Sequence, residues 1–182
     1  MNPQGNAEKL SKLLDPIIEN VYANAAVVIL LREEEQGCQI LLVKRAEKSD
    51  DPWSGQTALP GGKRNSEDRN LMETVVRETL EETCINLLEG CRFLGTMEPL
   101  RSTQRPEMMI LPFVVLLEQE QTIKLNEELM EYLWAPLKKL AHQMGTAKFS
   151  FGKYPAYIVE GHVVWGLTYR ILDRFFSILE RS

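Results

Sequence analysis

Cysteine is scarce in this chain and poorly placed for cross-linking. Cys38, Cys84 and Cys91 are odd in number and contain no C-x-x-C pair, so neither a disulfide framework nor a zinc ribbon is indicated. A reducing, cytoplasmic setting is the expectation. Histidine is scarcer still: His142 and His162 are isolated, match no ligand spacing and are expected to be structural. No segment approaches the ~20 apolar residues of a membrane span, and in MNPQGNAEKLSKLL charges interrupt the apolar residues, unlike a secretory leader. An excess of basic charge is missing too. The formal net charge of -5 argues against a broad nucleic-acid surface, while a local basic pocket for phosphate stays open. Internal repeats and low-complexity linkers are absent. The expected partner is therefore a small molecule, with no nucleic acid and no membrane; whether the chain forms a homodimer is left open.

What is present is ordinary globular usage, 44% hydrophobic and 26% charged over 182 residues, which suits one soluble domain spanning 1–182 with one core. Leu10, Leu13, Leu14, Ile17, Ile18 and Val21 recur at helical spacing, and Asp15-Pro16 resembles an N-cap followed by proline at the first helical position. This predicts an N-terminal helical extension over about 7–22, as two short pieces or one broken at Pro16. AAVVILL and CQILLVKR, separated by the charged EEEQG, read as a hairpin of core strands. AEKSDDPWSGQ reads as a loop and TALPGG as a short strand ending in a turn. Asp68 is a plausible N-cap for a helix through about residue 83, with Leu71, Met72, Val75, Val76 and Thr79 facing inward. CRFLGTMEPL and EMMILPFVVLLE read as two long strands, EYLWAPLKKLAH as a strand passing into a short helix, and YPAYIVEGHVVWG as a last hairpin or a strand and turn. LTYRILDRFFSIL closes the chain as an amphipathic helix on Leu167, Ile171, Phe175 and Ile178. Strands interspersed with helices on one core indicate α/β or α+β layers.

The stretch RETLEETCI places Glu78, Glu81 and Glu82 on neighbouring positions of one helix, where like charges repel. Three glutamates on a helix are ordinarily a solvated face. Here, however, they follow Gly61-Gly62, Lys63 and Arg64 at a fixed distance. Glycines let the backbone approach a ligand, the helix start favours anions, and carboxylate oxygens are what a hard cation such as Mg²⁺ requires. Such a cation would neutralise the repulsion, polarise a phosphoryl oxygen and generate a hydroxide nucleophile.

Gly62, Arg77, Glu78, Glu81, Glu82 and Ile85 resemble the box of the Nudix hydrolases, G-x5-E-x7-R-E-U-x-E-E-x-G-U, spanning about 61–85 here. Thr79 stands at its aliphatic position and Cys84 at its last glycine. The spacing from Gly62 to Arg77 is one residue longer than the general box, which resembles the coenzyme A pyrophosphatase-like branch, G-G-x5-D-x8-R-E, with Gly61, Gly62, Asp68, Arg77 and Glu78 in register. LLVKR, WSGQTALPGG and VVWGLTYRIL resemble further segments of that branch, although Trp53 stands where it usually has histidine.

The resemblance implies an α/β/α sandwich with a mixed central sheet, and a Mg²⁺- or Mn²⁺-dependent pyrophosphohydrolase of a nucleoside diphosphate linked to a second group. Carried over by position, Glu78, Glu81 and Glu82 are the metal ligands, Arg77 orients them through charge-assisted hydrogen bonds, and Glu78 is the helix candidate for general base. Glu128, ahead of Glu127, is the candidate for a further acid. Lys63, Arg64, Arg45 and Arg101 are candidate phosphate contacts, each equally suited to surface solubility. Tyr154, Tyr157 and Trp53 stack on an adenine or, as is commoner for aromatics at strand spacing, pack in the core; Trp165 is expected to pack the last helix. The substrate implied is coenzyme A or a related derivative. Two alternatives stay open: a Nudix hydrolase of ADP-ribose, a dinucleotide or a nucleoside triphosphate, and a catalytically silent nucleotide-binding sensor.

Overall fold

The computed structural model describes residues 3–18, 22–47 and 54–180, with side chains described from Ala7 onward. In chain order the elements are α1 (Pro3–Leu13), β1 (Ala25–Glu34), β2 (Gly37–Arg45), β3 (Thr57–Ala58), β4 (Gly61–Lys63) and α2 (Leu71–Thr83). They continue with β5 (Cys91–Thr96), β6 (Leu100–Arg101), β7 (Met109–Leu117), β8 (Leu129–Pro136) and α3 (Leu137–His142). The chain then adds β9 (Met144–Phe149), β10 (Gly152–Val159), β11 (His162–Trp165) and α4 (Gly166–Leu179).

The predicted hairpin of β1 and β2 forms, but the two strands pair only near their turn, Leu31–Glu34 with Gly37–Ile40. Beyond it they splay. The far edge of β1 is occupied along its length by the parallel β7, and the far edge of β2 by the antiparallel β8. Segment 57–63 enters the wedge between them, β3 pairing with β2 and β4 with β1. TALPGG thus belongs to a pair of short strands on either side of Leu59-Pro60 rather than one strand ending in a turn. This wedge fixes the glycines against the sheet and delivers the chain to α2.

Alternation along each strand sends successive side chains to opposite faces. Ala26, Val28 and Leu30 of β1 meet Leu71 and Val75 of α2, with Phe113 and Val115 from β7. Ile29 and Leu31, with Ile40, Leu42 and Val114, meet Leu10 of α1, Val159 of β10, and Ile171 and Phe175 of α4. Strands covered on both faces read as continuous apolar runs, and AAVVILL and MILPFVVLL do so. Each fully buried Leu, Ile, Val or Phe stabilises by ~1.5–3 kcal/mol. The mixed sheet between helical layers is the architecture expected, with a second antiparallel sheet, β9-β10-β11, on the α4 side.

Several local readings change. α1 ends at Leu13, and no second helix begins at Asp15-Pro16: the Asp15 N–H and C=O pair with Thr96 at 2.9 Å each, extending the sheet. A residue before proline resists the helical region, which favours this extended solution. Leu10 and Leu14 are buried, whereas Leu13, Ile17 and Ile18 are exposed, and Val21 lies outside the described residues. CRFLGTMEPL is two strands interrupted at 97–99, and 144–149, unassigned from the sequence, is a strand. Trp165 immediately precedes α4. It joins Phe149, Phe151 and Tyr154 in an aromatic group.

Candidate functional site

The N-cap of α2 is Asn70, whose side-chain oxygen accepts the Glu73 N–H at 2.9 Å, and not Asp68. Asp68 has a different task. Its two carboxylate oxygens accept from Nε and Nη2 of Arg77 at 2.9 and 2.8 Å, and Oδ2 also takes the Thr74 hydroxyl and the Asn65 N–H. Asp68 is only 8% exposed. The Arg77 hydrogen bonds, against the cost of burial, hold its carboxyl far below the usual carboxylate range.

That clasp aims the rest of the guanidinium. Nη2 of Arg77 donates to the Lys63 carbonyl at 3.1 Å, while Nη1 donates to Glu78 Oε1 at 2.9 Å and Glu81 Oε2 at 3.2 Å. Arg77 thus ties the loop after the glycines to the glutamates of the helix, as an orienting residue would. Glu81 is exposed, Glu78 is half-buried, and burial raises the Glu78 pKa against the opposing pull of Arg77.

Glu82 is the buried member, 4% exposed. Its Oε2 accepts the Gly61 N–H at 2.9 Å, and Arg45 Nη1 stands 3.9 Å from Oε1. Burial, assisted by the charges of Glu78 and Glu128, pushes its carboxyl up to about 8 despite the Gly61 N–H and Arg45. Both glycines in the wedge stand in close contact, Gly61 with backbone and Gly62 with a side chain. A Cβ on Gly61 would lie 2.2 Å from the Ala26 carbonyl oxygen, and one on Gly62 would lie 2.5 Å from Cδ of Glu78. The second contact seats the Glu78 carboxylate directly on the backbone.

Glu128 arrives from the far side. Ala46 N–H donates to its carbonyl at 2.8 Å, and its Oε2 lies 3.8 Å from Arg45 Nη2, so Arg45 bridges Glu82 and Glu128. Glu127 is exposed. Arg64 and Arg101 are engaged elsewhere: Arg64 donates to the carbonyls of Asp68 and Arg69, closing the loop before α2, and Arg101 donates to the Pro106 carbonyl. The Lys63 side chain is exposed beside the glycines. Tyr157 is core, its hydroxyl donating to Asp173 at 3.3 Å, and Trp53 lies outside the described residues. His142 is exposed on α3, and His162 faces Glu131 at 3.9 Å.

Cation chemistry fits this donor set. Two carboxylates press on a third that is buried, and all three can offer oxygen to a hard ion. Among the described residues, no three His, Cys, Asp or Glu side chains are arranged as a ready-made cage. Arg77 draws the oxygens of Glu78 and Glu81 toward itself instead. Sequence reasoning missed the Gly61–Glu82 hydrogen bond and the Asp68–Arg77 clasp. The signal for both lay in the fixed spacing from the glycines to the helix.

Comparison with known proteins identifies the family. Residues 21–155 match the NUDIX domain family. A protein of Schizosaccharomyces pombe is 36% identical over 107 residues, 56% of this chain and 32% of that protein, so the matched region is about a third of that relative's length. The human mitochondrial coenzyme A diphosphatase is 27% identical over 165 residues, 86% of this chain and 70% of that protein. The crystal structure of a Caenorhabditis elegans Ap4A hydrolase binary complex superposes with a TM-score of 0.59 at 17% identity, covering 87% of this chain and 99% of that one. The chain belongs to the Nudix hydrolase family. No helix among the described residues is long and apolar enough to cross a membrane.

Proposed function

We propose that the chain is a divalent-metal-dependent pyrophosphohydrolase that cleaves the diphosphate of a nucleoside diphosphate derivative, with coenzyme A as its first substrate. The observation that carries this reading is that Glu82 joins two groups, meeting Glu128 across Arg45 and Glu78 across the Gly61-Gly62 backbone. The similarity to the human coenzyme A diphosphatase supports the substrate class.

Glu82 and Glu78, with Glu81 as the outer member, are the residues that would hold Mg²⁺ or Mn²⁺. Such an ion would polarise the phosphoryl group and offset the repulsion among the carboxylates. Arg77, locked by Asp68, orients Glu78 and Glu81. The half-buried Glu78 carboxylate, with its raised pKa, accepts the proton of the attacking water. Arg45 and the exposed Lys63 side chain meet the anionic diphosphate, and Glu128 fixes the Arg45 fork.

Purified protein with Mg²⁺ or Mn²⁺ should release 3′,5′-ADP and phosphopantetheine from coenzyme A. Trp53, at the position where the coenzyme A branch carries histidine, favours a second reading in which ADP-ribose or a dinucleotide is the better substrate. Ranking these substrates by kcat/KM decides between the two. A different best substrate at equal dependence on Glu82 selects the second.

A further inference from the structure

On the side of the sheet away from α2, a pocket of about 720 Å³ opens between the end of β2 and the small sheet, within the range of small-molecule sites. Ile40 and Leu42 of β2 face the small sheet, and Lys44, next in that alternation, lines the pocket. Arg45, its chain neighbour, reaches Glu82 of α2. The pocket and the carboxylates therefore stand back to back at one strand end.

Its far wall is aromatic. Phe149 stacks parallel on Phe151 at a centroid distance of 5.1 Å and meets the Trp165 ring at 4.4 Å. Phe151 is nonetheless 63% exposed, a large apolar face left to water at the mouth of a cavity. The rim is polar but not cationic. Lys44 Nζ is 3.2 Å from Glu131, which balances its charge, and Glu160 adds a second carboxylate. Glu160 and Gly161, with φ of 49° and 84°, make the two-residue hairpin turn between β10 and β11 that sets Glu160 and His162 on this rim. Such a rim repels a phosphate and accepts hydrogen bonds from a neutral group carrying N–H donors. The aromatic wall suits a flat ring.

We propose that this pocket takes the nucleobase of the substrate, an amino-bearing planar ring stacked against Phe151 and Trp165, while the diphosphate passes round the end of β2 to Arg45 and the glutamates. The inference rests on the reading of the chain as a hydrolase of nucleoside diphosphate derivatives. It makes Phe151 a specificity residue that touches no phosphate.

Calorimetric titration with AMP and with ribose 5-phosphate, which lacks the base, tests it without turnover. AMP should bind at least about tenfold tighter than ribose 5-phosphate, and Phe151→Ala should remove most of that difference while Phe151→Tyr restores it. In the hydrolysis assay Phe151→Ala should raise KM with kcat unchanged, and its exposed position should leave the thermal midpoint near wild type. Equal binding of the two probes, or AMP affinity indifferent to Phe151→Ala, overturns the proposal. Coenzyme A hydrolysis with an unaltered KM in Phe151→Ala overturns the pocket and leaves the hydrolase standing. Base-dependent AMP binding that needs Phe151, without hydrolysis of any substrate, supports the pocket and removes the hydrolase.

Discussion

The backbone N–H of Gly61 donates to the buried carboxylate of Glu82 at 2.9 Å, joining the wedge between β1 and β2 to the last turn of α2. One hydrogen bond thus fixes the distance between the glycine pair and the acidic helix. The spacing that is conspicuous in the sequence is a spacing the backbone enforces.

The two glycines should respond differently to the same substitution. Gly61→Ala drives a Cβ into the Ala26 carbonyl, a backbone group of the sheet that cannot swing aside, so it should lower the unfolding midpoint markedly. Gly62→Ala meets only the flexible end of Glu78, so the fold should persist while that carboxylate is displaced. Thermal melts and hydrolysis rates on both variants separate the effects: stability lost in the first, activity lost with little stability change in the second.

Glu82 makes stability depend on pH in a defined direction. Its folded pKa near 8 lies above that of an ordinary carboxyl, so between about pH 4.5 and 8 the folded state holds the extra proton. Stability from this group is full below that window and falls as pH rises through it. Metal-free protein should therefore melt lower at pH 8 than at pH 5 on account of Glu82, and Glu82→Gln should flatten that slope. Saturating Mg²⁺ or Mn²⁺ should raise the midpoint at pH 8, and binding near pH 7 should release protons into weak buffer. A pH-independent Glu82→Gln difference, or no metal shift, contradicts this account.

Asp68 acts in the opposite sense. Its carboxyl is held low by Arg77, so its contribution is present above the unfolded pKa of about 4 and is lost only as pH falls below it. Asp68→Asn takes the buried carboxylate from Arg77, which keeps Glu78 and Glu81, and should cost about 2 kcal/mol, the scale for hydrogen bonds to charged groups. Urea unfolding at pH 7 measures this. Because Arg77 also orients Glu78 and Glu81, kcat should fall as well.

Cys84 ends α2 in the left-handed region, φ 61°, with its N–H donating to the Leu80 carbonyl at 2.9 Å. The cysteine at the box's last glycine position takes the glycine-type conformation itself. Cys84→Gly should stabilise by about 1 kcal/mol, less the unfolded-state entropy glycine adds. Denaturant midpoints of the two proteins check this.

Much of this architecture is legible in the sequence because burial on both faces writes itself as long apolar runs, and AAVVILL and MILPFVVLL are central strands for that reason. The carboxylate cluster is legible because its residues share one helix. Asn70 does not stand out as the cap because Asp68 offers an equally good capping side chain; only the approach of Arg77, nine residues beyond Asp68, settles which is used. The β9 strand is illegible because two of the inward positions of Met144–Phe149 are the small Gly145 and Ala147, which mark no apolar face, and it pairs only with β10. The roles of Arg64 and Arg101 depend on loop carbonyls that no local pattern announces.

The central claim is that Glu82 and its neighbours form a metal-dependent pyrophosphohydrolase centre. The most direct test is chromatographic assay of coenzyme A and ADP-ribose hydrolysis with Mg²⁺ and Mn²⁺, wild type beside Glu82→Gln. The account predicts cleavage at the diphosphate, falling in the variant by at least about 100-fold, the upper end for lost outer-sphere partners of a metal site. Cleavage at equal rates in the variant, or none of either substrate with either ion, would contradict it.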